Sequence, residues 1–373
     1  MAIEIKEVIS DKEHKDFVNV QFSIYKGNNF WIPPIIKDEI KALKAEFNPA
    51  FRFCEAKFWN AYKDGKVVGR IGSIINHKYI EKTGEKTGRF TRAEFINDNG
   101  VVDALFSVAE KWMKEKGMTE IEGPLGFTNL DHQGMLVEGF EHLPSAASEY
   151  HLPYYQEQLV RLGYDKKIDW IEFRLFFDGM PEKAKRGAEI VKQRSKVTVK
   201  SFTKSSELKV YAVQLFEILN EAFRDLHSVV ALDKEMIDYY VKRYLMMLNP
   251  RFVKLVFDED ENLIAFIIGL PSLSEALQKA NGRLFPFGWY HINKALKHPK
   301  VIDLMLTGIL PQYQAKGVTA VLFYELHAVM EEFGVKEMET TGIFETNQKV
   351  IQNWKNYDNI QHKRKRCWKK TIQ

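Results

Sequence analysis

The chain repeats itself, and the repeat restricts the folds open to it more than any other feature. Leu105 and Phe106, Met113, Gly117, Glu120 and Glu122 recur as Leu322 and Phe323, Met330, Gly334, Glu337 and Glu339, each displaced by 217 residues. Each set spells an amphipathic helix, a glycine suited to ending it, and a short strand. A hairpin pattern precedes each set: Phe58 to Ile75 around Asp64-Gly65-Lys66, and Val253 to Leu270 around Asp260-Glu261-Asn262. The hairpins are displaced by only 196, so the second half carries 21 further residues between hairpin and helix, including Asn281 to Tyr290. Helices that end in glycine are common by chance. Agreement over hairpin, helix, glycine and strand reads better as a duplication.

A length of 373 residues exceeds one ordinary core and fits two domains. The boundary signal is Phe177-Asp178-Gly179-Met180-Pro181. It follows the apolar strand Trp170 to Phe177 and precedes a charged helical pattern, Pro181 to Arg194, and an alternating one, Val197 to Phe202. The expected domains are therefore 1–178 and 179–373. Neither half alternates strand and helix as a doubly wound sheet does. The expected class is α+β, with a mixed, mostly antiparallel sheet flanked by helices in each half.

Composition removes several function classes. Hydrophobic residues make up 45% and aromatics 13%, too rich for disorder. The 54 basic and 50 acidic side chains leave a net charge of only +4, so no nucleic-acid partner is expected. Cys54 and Cys367 are too few for a disulfide scaffold or a zinc site, and no metal is expected. The N-terminus alternates apolar and charged residues like a first strand, not a signal peptide. No apolar run approaches the ~18 residues that span a bilayer. A cytoplasmic protein without a membrane partner is the expectation.

The segment that points to chemistry lies in the second half. Ile302 to Leu310 is an apolar strand ended by Pro311, and a helix burying Leu322, Leu326, Val329, Met330 and Phe333 follows. Between them runs Gln312-Tyr313-Gln314-Ala315-Lys316-Gly317-Val318-Thr319. A glycine-containing turn at a helix N-terminus presents free N–H groups and a positive dipole end, which suit a phosphate or pyrophosphate. A plain turn with a solvated Lys316 is the competing reading. The segment matches neither the P-loop nor the dinucleotide glycine pattern.

Leu310 to Val318 resembles the pyrophosphate loop of the GCN5-related N-acetyltransferase (GNAT) superfamily, Gln/Arg-x-x-Gly-x-Gly/Ala after a strand. Gln314 and Gly317 match, while Thr319 stands where the family usually has glycine or alanine. The resemblance spans residues 197 to 373. It implies two tandem GNAT-like domains and an acyl-CoA co-substrate, acetyl-CoA first among them. Ile309 and Leu310 would bind the pantetheine arm, Gln314, Lys316, Gly317, Val318 and Thr319 the pyrophosphate, and Asn347 the pantetheine end. It implies direct attack on the thioester by a small amine or amino-acid-like acceptor. The family often protonates the leaving thiolate with a tyrosine about seven residues after the asparagine. Trp354 occupies that position here, and Tyr357 is the nearest phenol. Glu339 is the first candidate for the base and Asp303 the second. The Trp354 departure keeps open a non-catalytic acyl-CoA-binding scaffold. The same fold also serves aminoacyl-tRNA-dependent transferases.

The first half has no such loop. Asn97 and Asp98 read as helix caps, and an acidic cap repels a pyrophosphate, so this half is expected to lack the co-substrate site. Two segments, Gly123 to Phe140 and Phe285 to Tyr290, are expected to wall an acceptor pocket or to cover sheet edges. Asp131-His132 reads as a surface turn. The basic tail, Lys363 to Lys370, reads as a solvated final strand guarding an edge.

Overall fold

The computed structural model describes residues 2–179, 182–244 and 247–372, with backbone alone at 183, 184 and 356. Met180 and Pro181 of the boundary motif lie outside the described residues. The first half supplies β1 (Ile3–Glu7), β2 (Cys54–Lys63), β3 (Lys66–Asn76), β4 (Thr87–Phe95), β5 (Glu120–Gly123), β6 (Met135–Glu138) and β7 (Asp165–Phe176). The second supplies β8 (Thr198–Ser201), β9 (Val253–Phe257), β10 (Leu263–Pro271), β11 (Val301–Ile309), β12 (Glu337–Thr340), β13 (Ile343–Phe344) and β14 (Asp358–Thr371). Among the described residues these fourteen form one sheet in the order β1-β2-β3-β4-β5-β14-β7-β12-β11-β10-β9-β8, with β6 on β14 and β13 on β7.

The repeat is visible in the pairing. β1 through β4 are antiparallel and β4 runs parallel to β5. β8 through β11 are antiparallel and β11 runs parallel to β12. Each parallel pair is joined by the amphipathic helix of the repeat, Asn99–Glu115 and Val318–Glu332. The first buries Val101, Leu105, Phe106 and Met113 against one face of its half-sheet. The second buries Val321, Leu322, Leu326 and Met330 in the matching place.

The last strands are exchanged. β14, the end of the second half, inserts between β5 and β7, and β7 reaches across to β12. β7 and β14 pair antiparallel from Asp358↔Phe176 to Lys369↔Asp165 at the centre of the molecule. The basic tail is therefore a strand, as expected, but not an edge. Lys363 and Lys365 are buried, with Lys363 Nζ 2.7 Å from Glu339 and Lys365 Nζ 3.0 Å from Glu172. Arg366 Nε lies 2.8 Å from Asp169. A charge-rich sequence is buried here because each cation meets a carboxylate of the neighbouring strands.

The halves also share one core. Phe17, Val18, Phe58 and Ile74 of the first half pack in a single cluster with Phe202, Leu215, Ile218 and Phe266 of the second. The stretch after Gly123 runs across this centre, with Leu125 and Phe127 buried and β6 added to β14. It fills the interior rather than capping an edge.

Candidate active site

The parallel pair of the second half opens partway along. β11 and β12 pair from Val301↔Glu337 to Leu304↔Thr340, yet β11 runs on to Ile309. Beyond Leu304, Thr341 closes the fork, its N–H and Oγ1 both on the Leu304 carbonyl. Further along, the edge of β11 facing away from β10 has no strand beside it among the described residues. Thr307 Oγ1 is buried there without a hydrogen-bond partner, a cost a folded chain normally avoids unless something else fills the place.

The loop of interest continues from that open edge. Gly317 takes the N-cap position of the Val318–Glu332 helix at φ 83°, a left-handed conformation that glycine adopts without strain, and it offers no capping side chain. The first N–H groups of the helix thus lack the acceptor that a Ser, Thr or Asp cap would supply. Gln314, Ala315 and Lys316 are exposed, and Lys316 Nζ sits 4.8 Å from the Tyr313 ring centre. Val191, on the Glu182–Ser195 helix, fills the space beside Gly317, where an added Cβ would lie 2.6 Å from Val191 Cγ2.

The other expected co-substrate residues are placed unevenly. Val318 is buried and Thr319 half-buried on the first helical turn. Ile309 O accepts from Gln314 Nε2 at 3.3 Å. The Leu310 amide is already committed to Ile264 O at 3.0 Å, so it does not face the open edge. Asn347 Oδ1 caps the short Gln348–Ile351 helix by accepting from Val350 N at 3.3 Å.

The first half is closed at both corresponding points. Asp98 caps the Asn99–Glu115 helix, accepting from Gly100 N at 2.9 Å and Val101 N at 3.3 Å, and pairs with Lys63 at 2.6 Å. A carboxylate thus occupies the place where a phosphate would sit. Leu125 N donates to Phe90 O at 2.9 Å, stitching the fork shut. The repeat places Gly342 and Thr307 at those positions in the second half.

The two expected catalytic side chains behave differently from a free base and acid. Asp303 and Glu339 sit opposite each other in the parallel register. They alternate with Ile302, Leu304 and Met338, which pack with the Val318–Glu332 helix, so both point to the other face of the sheet. Glu339 is buried and accepts from Lys363 at 2.7 Å and Arg174 at 3.0 Å, with His362 Nε2 3.3 Å away but not hydrogen-bonded to it. Each of its oxygens is thus engaged by a cation. Asp303 is wholly buried, and burial, reinforced by Glu339, pushes its carboxyl well above the usual range. Tyr357 packs its ring 5.4 Å from Phe177, and burial raises its phenol. Phe177 N bonds Lys336 O, so Tyr357 lies at the start of β12, about 10 Å along the strand from the fork. Trp354 is buried against Phe323 at 5.1 Å.

Sequence reasoning missed what surrounds Glu339. Glu172 accepts from Ser148 Oγ at 2.6 Å, and Lys365 Nζ reaches the same hydroxyl at 3.0 Å. Lys363 also donates to Leu143 O at 3.1 Å. A loop of the first half thereby folds over the open face of the second, and it brings His142 with it. The His142 ring lies 5.4 Å from that of His362, and its side chain keeps 28% of its exposure. Burial, opposed by Glu141 and aided by Lys363 and Arg174, holds His142 below the usual histidine range. A part-exposed imidazole held towards its neutral form therefore stands beside His362, the neighbour of Glu339. The His132 of the sequence reading pairs instead with Glu149, at 3.0 Å.

No protein-family model matches the chain. It is 29% identical to Protein YghO of Escherichia coli over 99% of this chain and 95% of that protein. It is 24% identical to the bacterial ceramide synthase of Caulobacter vibrioides, covering 99% and 98%. A tandem GNAT protein from the clavulanic acid biosynthesis pathway, solved without AcCoA, superposes with a TM-score of 0.58 at 11% identity over 100% of this chain and 99% of that one. With its two repeated forks, its linking helices and its central exchanged strands, the chain is a tandem protein of the GCN5-related N-acetyltransferase fold.

Proposed function

We propose that the protein is an acyl-CoA-dependent N-acyltransferase with one co-substrate site, in the second half. The observation that carries this is the contrast between two equivalent helix N-termini, one left open behind Gly317 and one filled by Asp98. The N–H groups of Gly317, Val318 and Thr319, with Lys316, would hold the pyrophosphate. The pantetheine arm would lie along the free edge from Met305 to Ile309 and bring the thioester to the fork. Leu310 has no part in this binding, because its amide is spent.

The acceptor would enter from the face carrying Asp303, Glu339 and Lys363, under the loop that bears His142. His142 takes the proton of the incoming ammonium, the amine nitrogen bonds to the thioester carbonyl carbon, and the carbon–sulfur bond breaks. The nitrogen sheds its second proton as it becomes an amide and the departing thiolate takes one up, so the net proton released is the one that His142 passes to solvent. Neither Glu339, held between Lys363 and Arg174, nor Tyr357, at the wrong end of the strand, fits the chemical step.

The ceramide synthase relative aligns over nearly its full length, and a ceramide is an N-acylated long-chain amino alcohol. This favours a lipid amine and a long acyl chain over a small acceptor. The acetyl donor named for the clavulanic acid pathway protein supports the other arm, acetyl transfer to a small amine. Release of free CoA separates them when measured with acetyl- and palmitoyl-CoA against a long-chain amino alcohol, an amino acid and a polyamine. Amine-dependent release with palmitoyl-CoA is the expected result. His142→Ala should lower kcat by about 10²–10⁴ with little change in the KM for acyl-CoA. No release with any pair, despite acyl-CoA binding, would leave a scaffold.

A further inference from the structure

The residues between hairpin and helix that only the second half carries do not wall a pocket. Phe285 is 77% exposed, Phe287 72%, Tyr290 52% and Trp289 50%, and Leu284 adjoins them. They lie on the loop before the Gly288–Lys297 helix and on its first turn. The opposite side of that helix is anchored: Ile292, Ala295 and Leu296 pack with Leu273 and Leu277. The loop is held as well. Gly282 O accepts from Ile36 N at 3.0 Å, Trp289 Nε1 donates to Pro286 O at 2.8 Å, and a Cβ at Gly288 would lie 2.0 Å from Arg283 O. Four large apolar side chains are thus displayed by a fixed scaffold, which is unusual for a surface that meets only water.

The charge along their own segment has one sign. From Ala276 to Ile302 the chain contains Lys279, Arg283, Lys294, Lys297 and Lys300 and no aspartate or glutamate. All five are exposed. Lys300 pairs with Glu275, and among the described residues no carboxylate lies within salt-bridge distance of the other four. Aromatic side chains projecting from a short helix ringed by unpaired cations match the headgroup layer of an anionic bilayer. Amphipathic rings settle at that depth, and lysine and arginine meet lipid phosphates there. A protein partner would instead favour an apolar centre with charge of both signs at its rim.

We propose that this patch docks the protein peripherally on anionic phospholipid membranes, with Phe285, Phe287, Trp289 and Tyr290 entering the interface and the four unpaired cations, Lys279, Arg283, Lys294 and Lys297, facing phosphates. The sequence alone led to the expectation of no membrane partner. Lying on a membrane needs no spanning helix, and the patch does not depend on the acyl-transfer reading.

The test is sedimentation of the full-length protein with vesicles of mixed phosphatidylglycerol and phosphatidylcholine, and of phosphatidylcholine alone. Binding to the mixed vesicles, weaker in high salt and weaker still on phosphatidylcholine alone, is expected. The triple variant F285S, F287S, W289S should bind at least about tenfold less tightly, and K294E with K297E should lose binding and its salt dependence together. Circular dichroism and the thermal unfolding midpoint of each variant check that the fold is intact and keep this question apart from the enzymatic one. Absence of binding to either vesicle would overturn the proposal, as would unchanged binding by folded variants. Self-association that the triple serine variant abolishes, without vesicle binding, would assign the patch to a protein contact instead.

Discussion

Single residues carry the asymmetry between the two halves. Gly317 and Asp98 are the N-cap residues of the two repeat helices, yet one leaves a helix end open and the other fills it with a carboxylate worth about 0.5–2 kcal/mol as a cap. Buried histidines give the residue scale a pH signature. Burial, with Lys363 close by, brings His362 down to about 3, whereas the unfolded value is about 6.5. Between these values the unfolded chain binds a proton that the native state refuses, so stability falls as pH drops below about 6.5. Glu94 works in the opposite sense. Burial raises it to about 7, so the folded protein keeps a proton that the unfolded chain releases above its ordinary value of 4.5. The two effects oppose each other in mildly acidic solution. His362→Gln removes only the first, so relative to wild type it should gain about 2 kcal/mol between pH 7.5 and pH 5. Urea midpoints at the two values check this. Parallel pH profiles would show that His362 is not held neutral.

Elements show what could be read from the sequence and what could not. The helices, hairpins and forks were legible because each is written in local spacing: a 3.6-residue apolar stripe, a glycine at its end, a turn between alternating runs. The place of β14 was not. Six basic residues within Lys363 to Lys370 look solvated in isolation. Their partners, Glu172, Asp169 and Glu339, come from other strands, two of them nearly 200 residues away, and no periodicity records that pairing. The site was legible in the same proportion. Gln314 to Gly317 follow a local strand–loop–helix pattern, whereas His142 arrives on a loop of the other half. Seven residues on from Asn347 stands Trp354, with Tyr357 the nearest phenol, but the 3₁₀ turn from Gln352 to Asn356 leads the chain to the far end of the strand pair. The buried pairs of β14 carry their own test. Lys365→Met leaves Glu172 without its cation and should cost about 3–5 kcal/mol. Adding Glu172→Gln should recover a good part of that loss in a double-mutant cycle. Additive losses would mean that the two side chains do not act as a pair.

At the scale of the whole molecule, the exchange of last strands makes the two halves one folding unit. A fragment of 1–178 lacks β14 between β5 and β7, and a fragment of 179–373 lacks β7 beside β12. Each would expose buried charges as well as core. Expressed alone, neither should show a cooperative unfolding transition, while the two together should reassemble. A 1–178 fragment that melts cooperatively alone would contradict this. The first half, proposed to hold no co-substrate, still has parts to supply. It contributes the loop bearing His142, the strand β7 bearing Glu172 and Arg174, and one wall of the shared core.

One live site in a duplicated fold is the central claim, and calorimetric titration with an acyl-CoA tests it most directly. One molecule should bind per chain. Lys316→Glu should weaken binding at least about tenfold, since it reverses the charge beside the helix N-terminus, and Gly317→Asp should abolish it. Asp98→Ala in the first half should leave both affinity and stoichiometry unchanged. Two sites per chain, or affinity that depends on Asp98 and not on Lys316 and Gly317, would contradict the assignment, and so would no binding at millimolar ligand.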